Sequence, residues 1–186
     1  SAIRKLKPAI LFIASDGPKP GDIKDGNECT KARGVIENID WKCEVRRLYR
    51  KKNMGLKASV YGAVTWFFDN VEEGIILEDD CVPDKSFFDF CGQMLKKYRN
   101  NKSVLHIGGS NFLPDRMQDK SGYYFSKYPQ VWGWATWRRA WKKIDYQMSR
   151  WEKFEKSERY NSLFPYFWEK VYWRIMSNAL KREKIN

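Results

Sequence analysis

The chain has 186 residues, of which 42% are hydrophobic, 16% aromatic and 31% charged. This length suits one globular domain, and the apolar content argues against a disordered protein. The net charge of +12 excludes an acidic surface and favours anionic partners such as nucleic acid, acidic lipid or phosphorylated small molecules. No apolar run reaches the ~18 residues that a membrane span needs.

The first apolar run leads into Asp16 instead of a small-residue cleavage site, so we expect a protein without an export signal. We expect a cytoplasmic location, and we leave open peripheral association with the anionic inner face of the membrane. The cysteines have no C-x-x-C spacing, and His106 is the one histidine that could join them, so a zinc site is not expected.

Predicted strands and helices alternate along the first two thirds of the chain. Short apolar runs predict strands, and apolar residues at helical spacing predict helices. In chain order these are a strand over 8–15, a helix over 28–39, a strand over 43–49, a helix over 56–71, a strand over 74–77, a helix over 85–99 capped by Asp84, and a strand over 103–109. This order predicts an α/β fold with a mostly parallel central sheet flanked by helices, followed by a helical C-terminal segment.

Acidic and small polar residues follow three of the predicted strands. Asp16 follows the first, Glu78, Asp79 and Asp80 follow the third, and residues 108–111 end the fourth. Open α/β sheets bind ligands beyond the carboxyl ends of their strands. We therefore expect these residues to share one rim, where a phosphorylated ligand would lie.

Three adjacent carboxylates repel one another, and a divalent cation would neutralise them. Oxygen donors without imidazole or thiolate suit Mg²⁺ or Mn²⁺. In an extended backbone Asp79 points away from Glu78 and Asp80, so the three acids cannot all bind the metal equally. We assign the metal to Asp80, and we place Asp79 nearer the sugar or nucleoside part of the phosphorylated ligand. The alternative is that the three acids fill a loop or cap the next helix.

Four blocks carry a resemblance to a known family. They are "LFIASDGPK", "EGIILEDDCVPD", "LHIGGSNF" and "YPQVWGWATWRRAW". Together they resemble bacterial nucleotide-diphospho-sugar transferases with the GT-A, Rossmann-like fold, related to N-acetylglucosaminyltransferase I. The resemblance implies a metal-dependent glycosyltransferase that uses Mn²⁺ or Mg²⁺ and a nucleotide-sugar donor, a UDP-sugar in the first instance, with a glycan or other hydroxyl acceptor.

The resemblance also implies roles for individual residues. The acids at 78–80 match the DxD-like motif, whose last member, Asp80, holds the metal against the donor diphosphate. Asp16 matches a carboxylate that faces the uracil ring. Gly55 and Lys57 match a segment beside the nucleotide, where Lys57 would reach a phosphate.

The aromatic block has two interpretations. Trp132 and Trp134 would stack against the donor and acceptor sugars, with Gly133 leaving room for close approach. Alternatively, Trp134, Trp137 and Trp141 belong to the core of a helix, because they are spaced i, i+3 and i+7.

Ser110 and Asn111 are loop residues, and the family places this loop near the site. We interpret 1–186 as one domain, with a nucleotide-sugar half over 1–115 and an aromatic, helical acceptor half over 116–186. Compared with the family, we expect both ends to be shortened. The family's candidate base follows the last helix, and Glu169 is the nearest substitute, to which we assign no role; the catalytic base stays unknown.

Two other functions remain open. Basic and aromatic residues together are typical of a domain that binds nucleic acid, although three clustered acids would repel phosphate. We therefore expect no nucleic-acid partner. A non-catalytic protein that binds sugar nucleotides is the second alternative.

Overall fold

The computed structural model describes residues 2–112 and 122–181. Within them the chain forms eight α-helices and five strands, and the predicted mixed α/β class is confirmed. In order they are α1 (Ala2–Leu6), β1 (Ile10–Ser15), α2 (Ile23–Gly34), β2 (Glu44–Tyr49), α3 (Leu56–Asn70), β3 (Glu73–Ile76), α4 (Lys85–Tyr98), β4 (Ile107–Gly108), β5 (Trp134–Trp137), α5 (Arg138–Trp141), α6 (Trp151–Glu155), α7 (Glu158–Leu163) and α8 (Phe167–Lys181).

The described strands form two small sheets instead of the single central sheet that we predicted. β1 and β2 pair in parallel, from Ile10 opposite Glu44 to Ser15 opposite Tyr49. In the second sheet β5 lies between β3 and β4 and is antiparallel to both. The helical interpretation of the tryptophan block is wrong at Trp134 and Trp137, because these residues lie in β5, a strand buried along its whole length.

Helix α3 packs against both sheets. The Phe67 ring lies 5.1 Å from the ring of Phe12 in β1 and also covers Gly74 in β3, where a Cβ atom would overlap it. Further along, Ile76 of β3 packs on the cluster that contains Val64. β3, which begins three residues after α3 ends, therefore runs back along α3.

Helix α4 covers the second sheet with the apolar stripe that its sequence predicts. The cluster joins Cys91, Met94 and Leu95 to Ile107, Ala135 and Trp137 of the strands beneath. The predicted cap is confirmed, since the Asp84 carboxylate accepts a hydrogen bond from the backbone N–H of Ser86 at 2.9 Å. Helix α2 begins earlier than predicted, because Asp22 caps it in the same way.

The last three helices form a separate aromatic cluster, in agreement with the predicted helical C-terminal segment. Its members are Trp151, Phe154, Tyr160, Phe164 and Trp173. The expected division between residues 115 and 116 lies outside the described residues. In the described part of the chain, no helix combines the length and apolarity that crossing a bilayer requires.

Candidate functional site

The three clustered acids lie in a turn and not in the extended backbone that we predicted. β3 ends at Ile76, and the backbone N–H of Cys81 donates to the carbonyl of Glu78 at 3.2 Å. The alternation argument that separated Asp79 from its neighbours is therefore wrong, since it requires a strand. The choice of Asp80 over Asp79 as metal ligand rests on the family resemblance alone.

All three of these acids are exposed to solvent. Burial, followed by repulsion from Asp80 and Asp79, raises the pKa of the Glu78 carboxyl above its usual range. The carboxylates are thus close enough to disfavour one another's charge, but water solvates them, and the fold does not require a cation. Among residues 2–112 and 122–181, no three His, Cys, Asp or Glu side chains are grouped to hold a metal ion.

The end of β3, the end of β4 and the beginning of β5 meet at one edge of the second sheet. Ile76 and Gly108 pair with Trp134 from opposite sides. The next hydrogen bond continues past the ladder, from the N–H of Gly109 to the carbonyl of Gly133 at 2.9 Å. Three predicted parts of the site, 78–80, 110–111 and 132–134, therefore converge here.

The ring of Phe87 in α4 packs against the backbone of Gly109 and Gly133 at this edge. Its ring approaches the backbone of Gly109 so closely that a Cβ atom there would overlap it, and a Cβ atom on Gly133 would lie 3.3 Å from it and 3.5 Å from Leu77. Gly133 also has a φ of +75°, which favours glycine. The close approach that we predicted at Gly133 is thus made by Phe87 of α4, and room for a ligand there stays a prediction.

The two predicted stacking tryptophans have opposite environments. Trp132 is 57% exposed, and its ring lies 5.7 Å from that of Phe112. Trp134 is 8% exposed and stacks on His106 at 5.1 Å, so its indole has little surface left for a sugar. Of these two tryptophans, Trp132 is the one with an open aromatic face.

The polar loop at this edge is tied to Trp132. The hydroxyl of Ser110 donates to the Trp132 carbonyl at 3.2 Å. Asn111 is exposed beside it. His106, which we left out of the site, is partly buried: its ring bonds to the carbonyl of Gln130 at 2.8 Å, and burial lowers its pKa.

Asp16 lies at the carboxyl end of β1, in the other sheet. Its carboxylate accepts hydrogen bonds from the N–H groups of Gly17 at 2.9 Å and Met54 at 3.0 Å. These bonds tie the loop after β1 to the loop before α3. The geometry gives Asp16 a structural task, and its contact with a uracil ring stays a prediction.

Gly55 and Lys57 lie next to this junction. Gly55 precedes α3 with a φ of +75°, and no side chain caps the helix there. The ammonium group of Lys57 lies 5.0 Å from the centre of the Tyr146 ring. In this conformation Lys57 contacts an aromatic ring, and a phosphate would have to compete with that contact.

Sequence reasoning missed Arg33, which joins the carboxyl ends of β1 and β2. Its guanidinium donates to the carbonyls of Asp16 at 2.8 Å and Arg50 at 2.9 Å, and it lies over the Tyr49 ring at 4.8 Å. The junction lies next to the beginning of α3, because Asp16 is bonded to Met54 just before that helix, and β3 runs from the end of α3 back toward the same region. Nothing in the spacing around Arg33 distinguishes it from a solvated helix residue.

Glu169 is held by neighbouring residues and does not offer a free carboxylate. It forms an ion pair with Lys127 at 2.7 Å and accepts a hydrogen bond from the hydroxyl of Tyr128. Hydrogen bonds from Lys127 and then Tyr128 lower the pKa of Glu169. These contacts join the loop before β5 to α8.

Comparisons of this chain with protein-family models, with curated proteins and with solved structures found no match.

Proposed function

We propose that this chain is a metal-dependent glycosyltransferase that moves a sugar from a nucleotide diphosphate donor, a UDP-sugar in the first instance, to an acceptor hydroxyl. The observation that carries the proposal is the convergence of the acid turn at 78–80, the loop at 109–111 and the exposed Trp132 at one sheet edge. A sugar diphosphate would bind through a cation held by carboxylates, through hydrogen bonds to small polar groups, and by stacking of its sugar on an open aromatic face. We also propose that the α/β fold is of the GT-A type.

The acid turn fits a hard divalent cation. Mg²⁺ and Mn²⁺ bind through one or two carboxylates and complete their coordination with water and substrate phosphate oxygens, so a cage of protein ligands is not needed. Burial, and after it repulsion from Asp80 and Asp79, raises the pKa of Glu78, and a bound cation would relieve the repulsion. We assign the cation to Asp80, with Asp79 and Glu78 beside it. Its chemistry would be to neutralise charge on the departing diphosphate.

The other residues would position the two substrates. Trp132 would stack on a sugar ring, Asn111 would donate a hydrogen bond to a sugar hydroxyl, and the Ser110 oxygen, whose proton is donated to the Trp132 carbonyl, would accept one. Asp16 would face the base of the nucleotide, Gly55 would lie beside it, and Lys57 would reach a phosphate. The base that takes the acceptor's proton is unassigned, and a chain that binds the donor without turnover is the nearest alternative.

The test is a thermal-shift measurement with UDP, GDP and CMP in turn, each with and without Mn²⁺. We expect UDP together with Mn²⁺ to raise the melting temperature, since a ligand that binds only the folded state stabilises it. Asp80→Asn should abolish the shift, because it removes one anionic oxygen from the turn. Asp89→Asn is the matched control, because Asp89 is an exposed acid that pairs with Lys85 on the outside of α4.

An unchanged shift in Asp80→Asn would remove the metal assignment. The absence of any shift with nucleotide, together with binding of single-stranded nucleic acid that weakens steeply with salt, would favour the nucleic-acid alternative. A shift without transfer to any acceptor would favour the non-catalytic alternative.

A further inference from the structure

Helix α8 presents an apolar face to solvent. Its exposed members are spaced one, three or four residues apart, which places them on one side of the helix. Phe167 is 78% exposed, Trp168 66%, Tyr172 53% and Ile175 62%. Val171 lies on the same side by its spacing, and Tyr166 extends the face by stacking on Trp168 at 4.6 Å. Exposed aromatic residues in such a cluster indicate a binding surface.

The opposite side of α8 is the side that packs on the protein. Trp173 lies 5.5 Å from Phe164 and 6.5 Å from Tyr128, ring centre to ring centre, and Ser177 is 2% exposed. The helix is therefore fixed in position by one face while the other remains without a partner in the described part of the chain. The exposed face is not needed to hold α8 in place.

Charge on α8 is arranged so that the exposed face carries no acid among the described side chains. The helix has one acidic residue, Glu169, which faces the docked side and is neutralised by Lys127. Arg174 is at the border of the apolar face, with its side chain 68% exposed and a long ion pair of 3.4 Å to Glu155. The whole chain carries a net charge of +12. An anionic surface would meet no like charge here.

We propose that the face formed by Phe167, Trp168, Val171, Tyr172 and Ile175 binds an anionic lipid bilayer and lies in its headgroup region. Tryptophan and tyrosine favour this interface, because their rings combine an apolar body with a polar group. An amphipathic helix lying in the membrane plane uses such a face, and surrounding basic residues add attraction to anionic lipid. This binding is peripheral and independent of the proposed transferase activity.

A second copy of the chain is the main competing occupant of this face. Pairing two α8 faces would bring together two copies of a protein that each carry a net charge of +12, and the two copies would repel each other. The described part of the face has no acidic side chain that could offset this repulsion. An anionic bilayer gains from the same charge. Electrostatics therefore favours lipid over a second copy.

The experiment is co-sedimentation of the chain with vesicles of two compositions, pure phosphatidylcholine and an equimolar mixture of phosphatidylcholine and phosphatidylglycerol. We expect binding to the mixed vesicles alone, weakened when NaCl rises from about 0.1 M to about 0.5 M. The double variant Trp168→Ser/Tyr172→Ser should bind about tenfold more weakly or worse, because it removes two interfacial rings. Circular dichroism checks that it folds, and the single variant Ile175→Ser should show a smaller loss.

The matched control is Ile23→Ser/Val35→Ser, which removes two apolar side chains that are 82% and 73% exposed on another part of the surface. It should bind like the unaltered chain. Equal loss in the control and in Trp168→Ser/Tyr172→Ser, or no binding to mixed vesicles at all, would overturn the proposal. So would sedimentation velocity that shows a dimer which Trp168→Ser/Tyr172→Ser converts to a monomer, since the face would then belong to a second copy.

Discussion

Arg138 and Arg139 are adjacent in the chain, and each binds the carboxyl end of a different helix. Arg138 donates to the carbonyls of Phe68 and Val71 at the end of α3. Arg139 donates to carbonyls at the end of α4 and in the loop beyond it, those of Tyr98 at 2.9 Å, Arg99 at 2.8 Å and Val104 at 3.1 Å. The last carbonyls of a helix have no partner within it, so this pair satisfies two helix ends at once. A basic pair on a helix is most often solvated, and these two arginines bind backbone carbonyls instead.

Replacing Arg139 by lysine should destabilise the protein although the charge is kept. A lysine ammonium cannot reach three separate carbonyls as the guanidinium fork does. We expect a loss of about 2 kcal/mol in the free energy of unfolding, because three carbonyls, two of them partly buried, lose a charged donor. Urea unfolding followed by circular dichroism measures this loss. Arg159→Lys, at an exposed position in α7, is the control, and an equal loss in the two variants would contradict the capping role.

Adding a methyl group at Gly109 should destabilise the edge of the second sheet. The new Cβ atom would overlap the Phe87 ring, and overpacking of this kind costs about 1–3 kcal/mol. Gly92→Ala is the matched control, since nothing lies within 4 Å of a Cβ atom there and alanine favours the helix by up to about 1 kcal/mol. Thermal unfolding should therefore move in opposite directions in the two variants. A harmless Gly109→Ala would mean that Phe87 does not support this edge.

The raised pKa of Glu78 predicts a loss of stability as the pH rises. The folded chain holds the Glu78 proton more tightly than the unfolded chain, so stability falls as the pH passes from the unfolded pKa through the folded one, and the deficit persists at neutral pH. Glu78→Gln should therefore melt at a higher temperature than the unaltered chain at about pH 7 and at the same temperature below about pH 4. Melting curves recorded in a chelating buffer measure this difference. Glu28→Gln, at an exposed position in α2, is the control for replacing a surface carboxylate by an amide.

The lowered pKa of Glu169 predicts the opposite dependence. Its ion pair with Lys127 stabilises the fold at neutral pH, and this contribution is lost as the pH falls through the folded pKa. Glu169→Gln should melt at a lower temperature at about pH 7, with a difference that narrows below about pH 4.

The same variant tests whether Glu169 has a catalytic role. If the chain transfers sugar, we expect the rate of Glu169→Gln at a temperature well below its melting point to stay within a few fold of the unaltered rate. Loss of a general base would lower the rate by about 10² to 10⁴. A loss of that size would show that Glu169 is the base after all.

The sequence alone predicted the elements whose signals are local. The apolar stripe of α4 and the carboxylate of Asp84 define that helix and its beginning, because the helical period and the cap depend on residues a few positions apart. The apolar run before Asp16 likewise predicted β1. The sequence also placed the acids at 78–80 and residues 108–111 at one rim, because both follow strands, but it placed Asp16 there too, and Asp16 follows β1 in the other sheet.

Only the tertiary structure decided what the tryptophan block and the two arginines do. Four consecutive residues of β5 are buried because β3 and β4 flank the strand and because α3 and α4 pack aromatic and aliphatic side chains on it. A short apolar run in the sequence does not identify such neighbours. Arg139 finds its carbonyls some forty residues away along the chain. Local composition determines what a segment can become, and partners brought together by folding determine which of those states it adopts.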